Sequence, residues 1–239
     1  GDLSDLPVFG TKLAREVYDP SGEKNFAVKP DGDHANVVAH GQWRKAVQAY
    51  LATISFADAQ IGRVLNSLDR SVHASKTIVV LWGDHGWHLG EKEHWRKHAL
   101  WEVSTRTPLI FHVPGGVAKG QLCRRPVSLI DIYPTLVELC GLPQRHGLDG
   151  QSLKPLLENP DREWERPVVT TFGFRNHAIR TERWRYIQYI DGGEELYDHE
   201  ADPNEWSNLA SLPRYSSLKS KLAKWLPVTN VKPVTKSSR

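Results

Sequence analysis

Between Gly83 and Lys97 the chain reads GDHGWHLGEKEHWRK, which places Asp84, His85, His88, Glu91, Glu93, His94, Arg96 and Lys97 within fifteen residues. A carboxylate such as Asp84 is a good ligand for a hard divalent ion, since calcium and magnesium take oxygen ligands at roughly 2.0–2.6 Å. A Lys supplies a compact positive charge for an anionic oxygen or a leaving group. Imidazole can act as acid or base near neutral pH. Metal, Lys and His together suit hydrolysis of a charged ester, where negative charge must be held and a departing oxygen protonated. Each residue taken alone has a plainer role. Asp84 could cap a turn, Lys97 could be a solvated charge, and His88, His94 and His98 could be surface or hydrogen-bonded core residues. Trp87 and Trp95 are most simply packing residues. His94 and His98 are four apart, but the HExxH pattern of a helical zinc site is absent.

The elements around this segment are α/β in character. Thr77–Trp82 (TIVVLW) is short, apolar and largely β-branched, which predicts a strand buried on both faces, as in a parallel sheet. Asp84 and His85 then fall just beyond its carboxyl end, where open α/β sheets place ligands. Gly83 and Gly86 are expected to let the backbone turn sharply around them. Leu109–Val113 predicts a second such strand. Gln42–Asp69 carries apolar residues in three- and four-residue steps and predicts a long amphipathic helix. Ile132–Cys140 predicts another helix, with Asp131 as its cap and Gly141 as its stop. After about Gly150 the texture changes to short strands, Val168–Phe172, Ala178–Thr181, Trp184–Ile190 and Glu195–Tyr197, which predict a small antiparallel sheet. Tyr215–Leu226 predicts a closing helix. Residues 1–41, rich in Pro and turn residues, predict little regular structure.

Composition narrows the classes. In 239 residues no apolar run approaches the ~20 needed to span a bilayer. The two cysteines, Cys123 and Cys140, form neither a disulfide scaffold nor a four-cysteine zinc site. There is no Met and the chain opens at Gly1, so a processed chain or a fragment is expected, with any signal peptide out of view. Seven basic residues and no acid lie between Trp206 and Arg239. This reads as a solvated terminal helix and a disordered tail over residues 227–239. With no aromatic residue after Trp225, base stacking has nothing to work with, and no nucleic-acid partner is expected.

The segment IVVLWGDHGWHLGEKEHWRKHALWEVSTRTPLIFHVPG resembles the second signature region of the type I sulfatases, in particular the branch of iduronate-2-sulfatase and its bacterial relatives. VSLIDIYPTLVELCGL, LDGQSLKPLL, HAIRTERWRYIQY and ELYDHEADPNEWSNLA resemble the patches that follow it in that family. The resemblance implies an alkaline-phosphatase-like mixed α/β sheet with a small antiparallel α+β subdomain after it. Residues 42–150 would be the C-terminal part of the catalytic domain and 151–226 the subdomain. It also implies a sulfuric ester hydrolase acting on a sulfated carbohydrate or a small sulfate ester. The cofactors would be calcium, or else magnesium, and a formylglycine made from Cys or Ser in a C/S-x-P-x-R motif.

No such motif occurs here; Cys123 lies in LCRRPV and Cys140 in LCGLPQ. The nucleophile and the early metal ligands are therefore expected in an N-terminal part of the same enzyme. By resemblance Asp84 and His85 match the late metal-ligand pair, where many sulfatases carry Asn at the second position. A neutral imidazole is a poor ligand for hard calcium, so His85 either ligates the metal or leans toward the nucleophile or a sulfate oxygen. Lys97 matches the Lys that contacts the sulfate and its bridging oxygen, and His88 and His94 are candidate substrate-side groups. Two alternatives stay open: a phosphodiesterase or phosphonate hydrolase of the same superfamily, and a non-catalytic metal- or anion-binding domain. The family is usually exported to periplasm, cell surface or lysosome, and the absence of an N-x-S/T sequon favours a bacterial source. The isolated chain is expected to lack activity and to self-associate.

Overall fold

A computed structural model describes residues 3–15 and 32–232. The centre of the core is a four-stranded antiparallel sheet, β5 (Val168–Thr171), β6 (His177–Arg180), β7 (Trp184–Gln188) and β8 (Glu194–Asp198), in that spatial order. Its register pairs Ala178 with Ile187, and Tyr186 with Leu196. Side chains alternate across a sheet, so one face presents Ala178, Ile187, Tyr189 and Tyr197 and the other Ile179, Tyr186 and Leu196. The first face packs against Leu100 and Trp101 and against a short helix, α1 (Val8–Ala14), through Phe9, Leu13 and Ala14. The second is covered by Ala210 and by Leu222 of α7 (Ser216–Ala223). The predicted strands and the closing helix are all present within a few residues of their expected bounds.

Two expectations fail here. Within the segment 1–41, of which residues 1–2 and 16–31 lie outside the described residues, there is more regular structure than expected: α1 and α2 (Gly32–Ala39) lie in it. A seven-residue helix is too short to show periodicity and is held by tertiary packing, in this case by Phe9 against Tyr189 at 5.1 Å between ring centroids. The two apolar strands β1 (Val79–Trp82) and β4 (Leu109–His112) do pair, but antiparallel, with Trp82 opposite Leu109. Nor are they buried on both faces, since Trp82 is 50% and Ile110 54% exposed. The expected tail lies partly outside the described residues, which end at 232.

The long helix α3 (Trp43–Asp69) forms as predicted, yet none of its residues is buried. α5 (Ile132–Leu139) ends as expected at Gly141, whose φ of 63° belongs to a Schellman turn. Gly141 N–H donates to Glu138 O and Leu142 N–H to Val137 O. Asp131, however, does not cap α5 with its side chain. Its carboxylate turns back to accept from Ser128 N–H in a capping box one turn earlier, and also from Gln151 N–H and Arg166. A short helix, α6 (Lys154–Glu158), then leads into β5. No helix among the described residues is long and apolar enough to cross a membrane.

Candidate active site

β1 delivers the chain to Gly83, and the segment from there to Arg106 folds over the first face of the C-terminal sheet. It contains a minimal hairpin, β2 (His88–Leu89) with β3 (Trp95–Arg96), and the one-turn helix α4 (Glu102–Thr105). Gly83 and Gly86 are needed for close approach, not for a left-handed turn. A Cβ on Gly86 would lie 1.9 Å from Val103 O, and one on Gly83 2.2 Å from Thr107 Oγ1. The left-handed positions fall instead on Gly90 and on the non-glycine residues Lys92, Glu93, Arg96 and His98. Bulky residues rarely adopt that region, and such strain persists only where the surroundings hold it.

Asp84, His85 and Lys97 come together. His85 Nδ1 lies 2.8 Å from Gly86 O, which can only accept, so Nδ1 carries the proton and Nε2 presents a lone pair. That lone pair receives a hydrogen bond from the Lys97 ammonium at 2.9 Å. Asp84 Oδ2 is 3.3 Å from the same nitrogen, and Oδ1 accepts from the His85 N–H. The Asp84 side chain is 82% exposed and His85 28%, so the group opens outward. The His85 ring stacks on Trp87, which in turn stacks on Tyr50 of α3. Asp84 Oδ2 and His85 Nε2 are close enough to serve one cation together. They offer one carboxylate, whereas calcium takes six to eight oxygens, so they fit as part of a ligand set and not as a whole one.

His88 and His94 are not in this group. They are 0% and 1% exposed and pack edge to face, 4.9 Å apart, beneath the loop with Trp101. As substrate-side groups they are displaced by burial. The His88 Nδ1 donates to Glu91 O, and its pKa is pushed down to about 3, by burial first and then by the neighbouring charge of His94. In keeping with the absence of an HExxH pattern, His94 and His98 do not share a helix, because His94 ends a turn and Trp95 starts a strand.

The loop rests on a buried ionic layer that no local pattern in the sequence announces. Arg185 of β7 bonds Glu102, Glu205 and, at 2.8 Å, Leu100 O. Glu205 also meets His199 and accepts from Glu102 N–H. Lys92 reaches the Glu205 carbonyl and sits over the rings of Trp101 and Tyr197. Glu195 takes hydrogen bonds from Trp101, Tyr189 and Tyr197, and its pKa is raised, by burial above all. Glu102, His199 and Glu205 are spaced for a metal ion. Arg185 and Arg180 already neutralise those carboxylates, so the cluster is an internal ion-pair network. These partners lie about a hundred residues apart in sequence, beyond the reach of spacing arguments.

A family model described as Sulfatase matches residues 13–142, and one described as N-sulphoglucosamine sulphohydrolase, C-terminal, matches residues 90–232. A sulfatase of Formosa agariphila is 42% identical over 229 residues, covering 96% of this chain and 43% of that protein. The solved structure of a 2-O GAG sulfatase aligns with a TM-score of 0.75 at 25% identity, over 91% of this chain and 47% of that one. The phosphonate monoester hydrolase of Agrobacterium radiobacter aligns with a TM-score of 0.64 at 28% identity, over 72% and 38%. The chain thus spans less than half the length of each of these relatives.

Proposed function

Since this chain belongs to the sulfatase family and has its alkaline-phosphatase-like fold, we propose that it forms one wall of the active site of a sulfuric ester hydrolase. The observation that carries this is the convergence of Lys97 Nζ and Asp84 Oδ2 on His85 Nε2, at 2.9 and 3.3 Å, just past the end of β1. Asp84 and His85 would hold a divalent ion, calcium or else magnesium, and the bound ion would supply positive charge beside the sulfate. Lys97 would turn from His85 to a sulfate oxygen or the bridging oxygen and stabilise the charge that develops there. The nucleophile, a formylglycine, belongs to the part of the enzyme outside these 239 residues. Neither Cys123, which donates to Pro160 O, nor the exposed Cys140 lies in the required motif.

Within this reading, residues 42–150 belong to the catalytic domain and 151–226 to the C-terminal subdomain. His85, where many sulfatases carry Asn, supports placement in the iduronate-2-sulfatase-like branch. A sulfated carbohydrate is the substrate class that follows, in keeping with the 2-O GAG sulfatase among the similar structures. The likeness to a phosphonate monoester hydrolase keeps that chemistry as a second reading. The complete enzyme, assayed with calcium on an aryl sulfate and on a phosphonate monoester, distinguishes the two. We expect sulfate turnover, abolished by Asp84→Ala together with a loss of calcium affinity in calorimetry. Turnover of the phosphonate alone would favour the second reading, and an Asp84→Ala enzyme with unchanged activity would remove Asp84 from the metal site.

A further inference from the structure

His94 presents its two ring nitrogens to two backbone carbonyl oxygens from distant parts of the chain. Nδ1 lies 2.9 Å from Ala14 O and Nε2 lies 2.8 Å from Lys97 O. A carbonyl oxygen only accepts, so both contacts are hydrogen bonds only if both ring nitrogens carry a proton, as in imidazolium. Ala14 is the last residue of α1, and the carbonyl end of a helix favours a cation. The adjacent His88 is held neutral by its burial. Trp101 closes the cluster at 6.2 Å from His94. The carbonyl that His94 grips lies between two left-handed residues, Arg96 at φ 68° and His98 at φ 73°. Such a backbone needs an external restraint to persist.

We propose that His94 is a positioning residue: a buried imidazolium strut that ties the Lys97 backbone to the end of α1 and so fixes where the Lys97 ammonium is delivered beside His85. This rests on the reading of Lys97 as the group that meets the sulfate. It gives His94 an indirect role in place of a contact with substrate.

The test is a double-mutant cycle in the complete enzyme with His94→Phe, Lys97→Ala and both, melting temperatures being recorded alongside. His94→Phe is expected to lower kcat by about 10–100-fold through misplacement, with KM within about twofold. Because His94 acts through Lys97, the double variant should be no slower than Lys97→Ala alone. Losses that multiply, or a His94→Phe enzyme with wild-type kcat, would overturn the proposal. Should the Phe variant fail to fold, His94→Gln replaces it in the same cycle. If Lys97→Ala itself keeps full activity, the assignment of Lys97 fails, and the strut is then judged by nitrogen NMR of the histidine rings. Two protonated nitrogens at His94 near neutral pH support it, and a single neutral tautomer rejects it.

Discussion

The C-terminal sheet and the α3–β1–β4 region differ sharply in how they treat their apolar residues. β6, β7 and β8 are covered on both faces, with Ile179, Ile187, Leu196 and Tyr197 fully buried. α3, almost four times as long as α1, buries nothing, and Leu51, Ile54, Phe56 and Val64 are each at least half exposed. Single exposed apolar residues are ordinary, but a 27-residue helix with large apolar residues exposed on several sides, beside a two-stranded sheet, signals a missing partner. The first region holds itself together, while the second is shaped for further protein. This chain covers less than half of each of these relatives, and we propose that the rest of the sulfatase domain is that protein. The candidate site lies at the seam: Asp84 and His85 leave the under-covered strand, and Lys97 leads into Ala99, Leu100 and Trp101, which pack on the well-covered sheet.

The largest effect expected from this contrast concerns residues 1–239 purified alone. They should show no hydrolysis of an aryl sulfate with calcium, for want of a nucleophile, and should self-associate through the open face of α3 and the edge of β1. Scattering gives the mass in solution; robust turnover by a clean monomer would break the comparison. Next is the buried ionic layer. Glu205→Ala leaves Arg185 with one carboxylate partner in place of two, and breaking a buried pair costs about 3–5 kcal/mol. Phe56→Ser on α3, measured at a dilution where the isolated chain is monomeric, should change stability by about 0.5 kcal/mol or less. Denaturant titrations of both variants sharpen the contrast, and equal losses would erase it.

Acid provides the smaller effect. His88 is held near 3 in the folded protein against 6.5 in the unfolded chain. The unfolded chain therefore binds the proton first, and stability, full above about 6.5, falls as pH drops toward 3. Glu102 adds a second, lower window. Burial works to raise its pKa, but the charges of Arg185 and Arg180 outweigh that and bring it from 4.5 to about 2. Its contribution is present above 4.5 and is lost as pH falls through 2. Stability measured against pH should decline from about 6.5 downward. His88→Phe should flatten the upper part of that decline; an unchanged profile would mean that His88 titrates normally.

How much of this was legible from the sequence follows from the range of the forces involved. Strands β5–β8 show alternation because each has a face to bury, and α3 shows its 3.6-residue period whether or not a partner is present. Asp84, His85 and Lys97 could be named together because they lie within one loop whose pattern resembles a family signature, whereas spacing alone left each a plainer role. The pairing direction of β1 and β4 was not, because a continuous apolar run looks alike in parallel and antiparallel sheets. α1 was invisible for a different reason: its seven residues fold against Tyr189, some 180 positions away. The burial of His88 and His94 was equally hidden, since Trp101 and the sheet beneath them are set by tertiary packing.

The measurement that bears most directly on the account is kcat of the complete enzyme carrying Lys97→Ala, beside Lys97→Arg, on a sulfate ester. Removing one electrostatic contact to a developing oxyanion costs on the order of 10²–10³ in rate. Lys97→Ala should show that loss, and Lys97→Arg should recover little of it, because a planar fork does not replace a point charge. A Lys97→Ala enzyme with wild-type kcat would contradict the account, leaving Lys97 as a cation that merely neighbours His85.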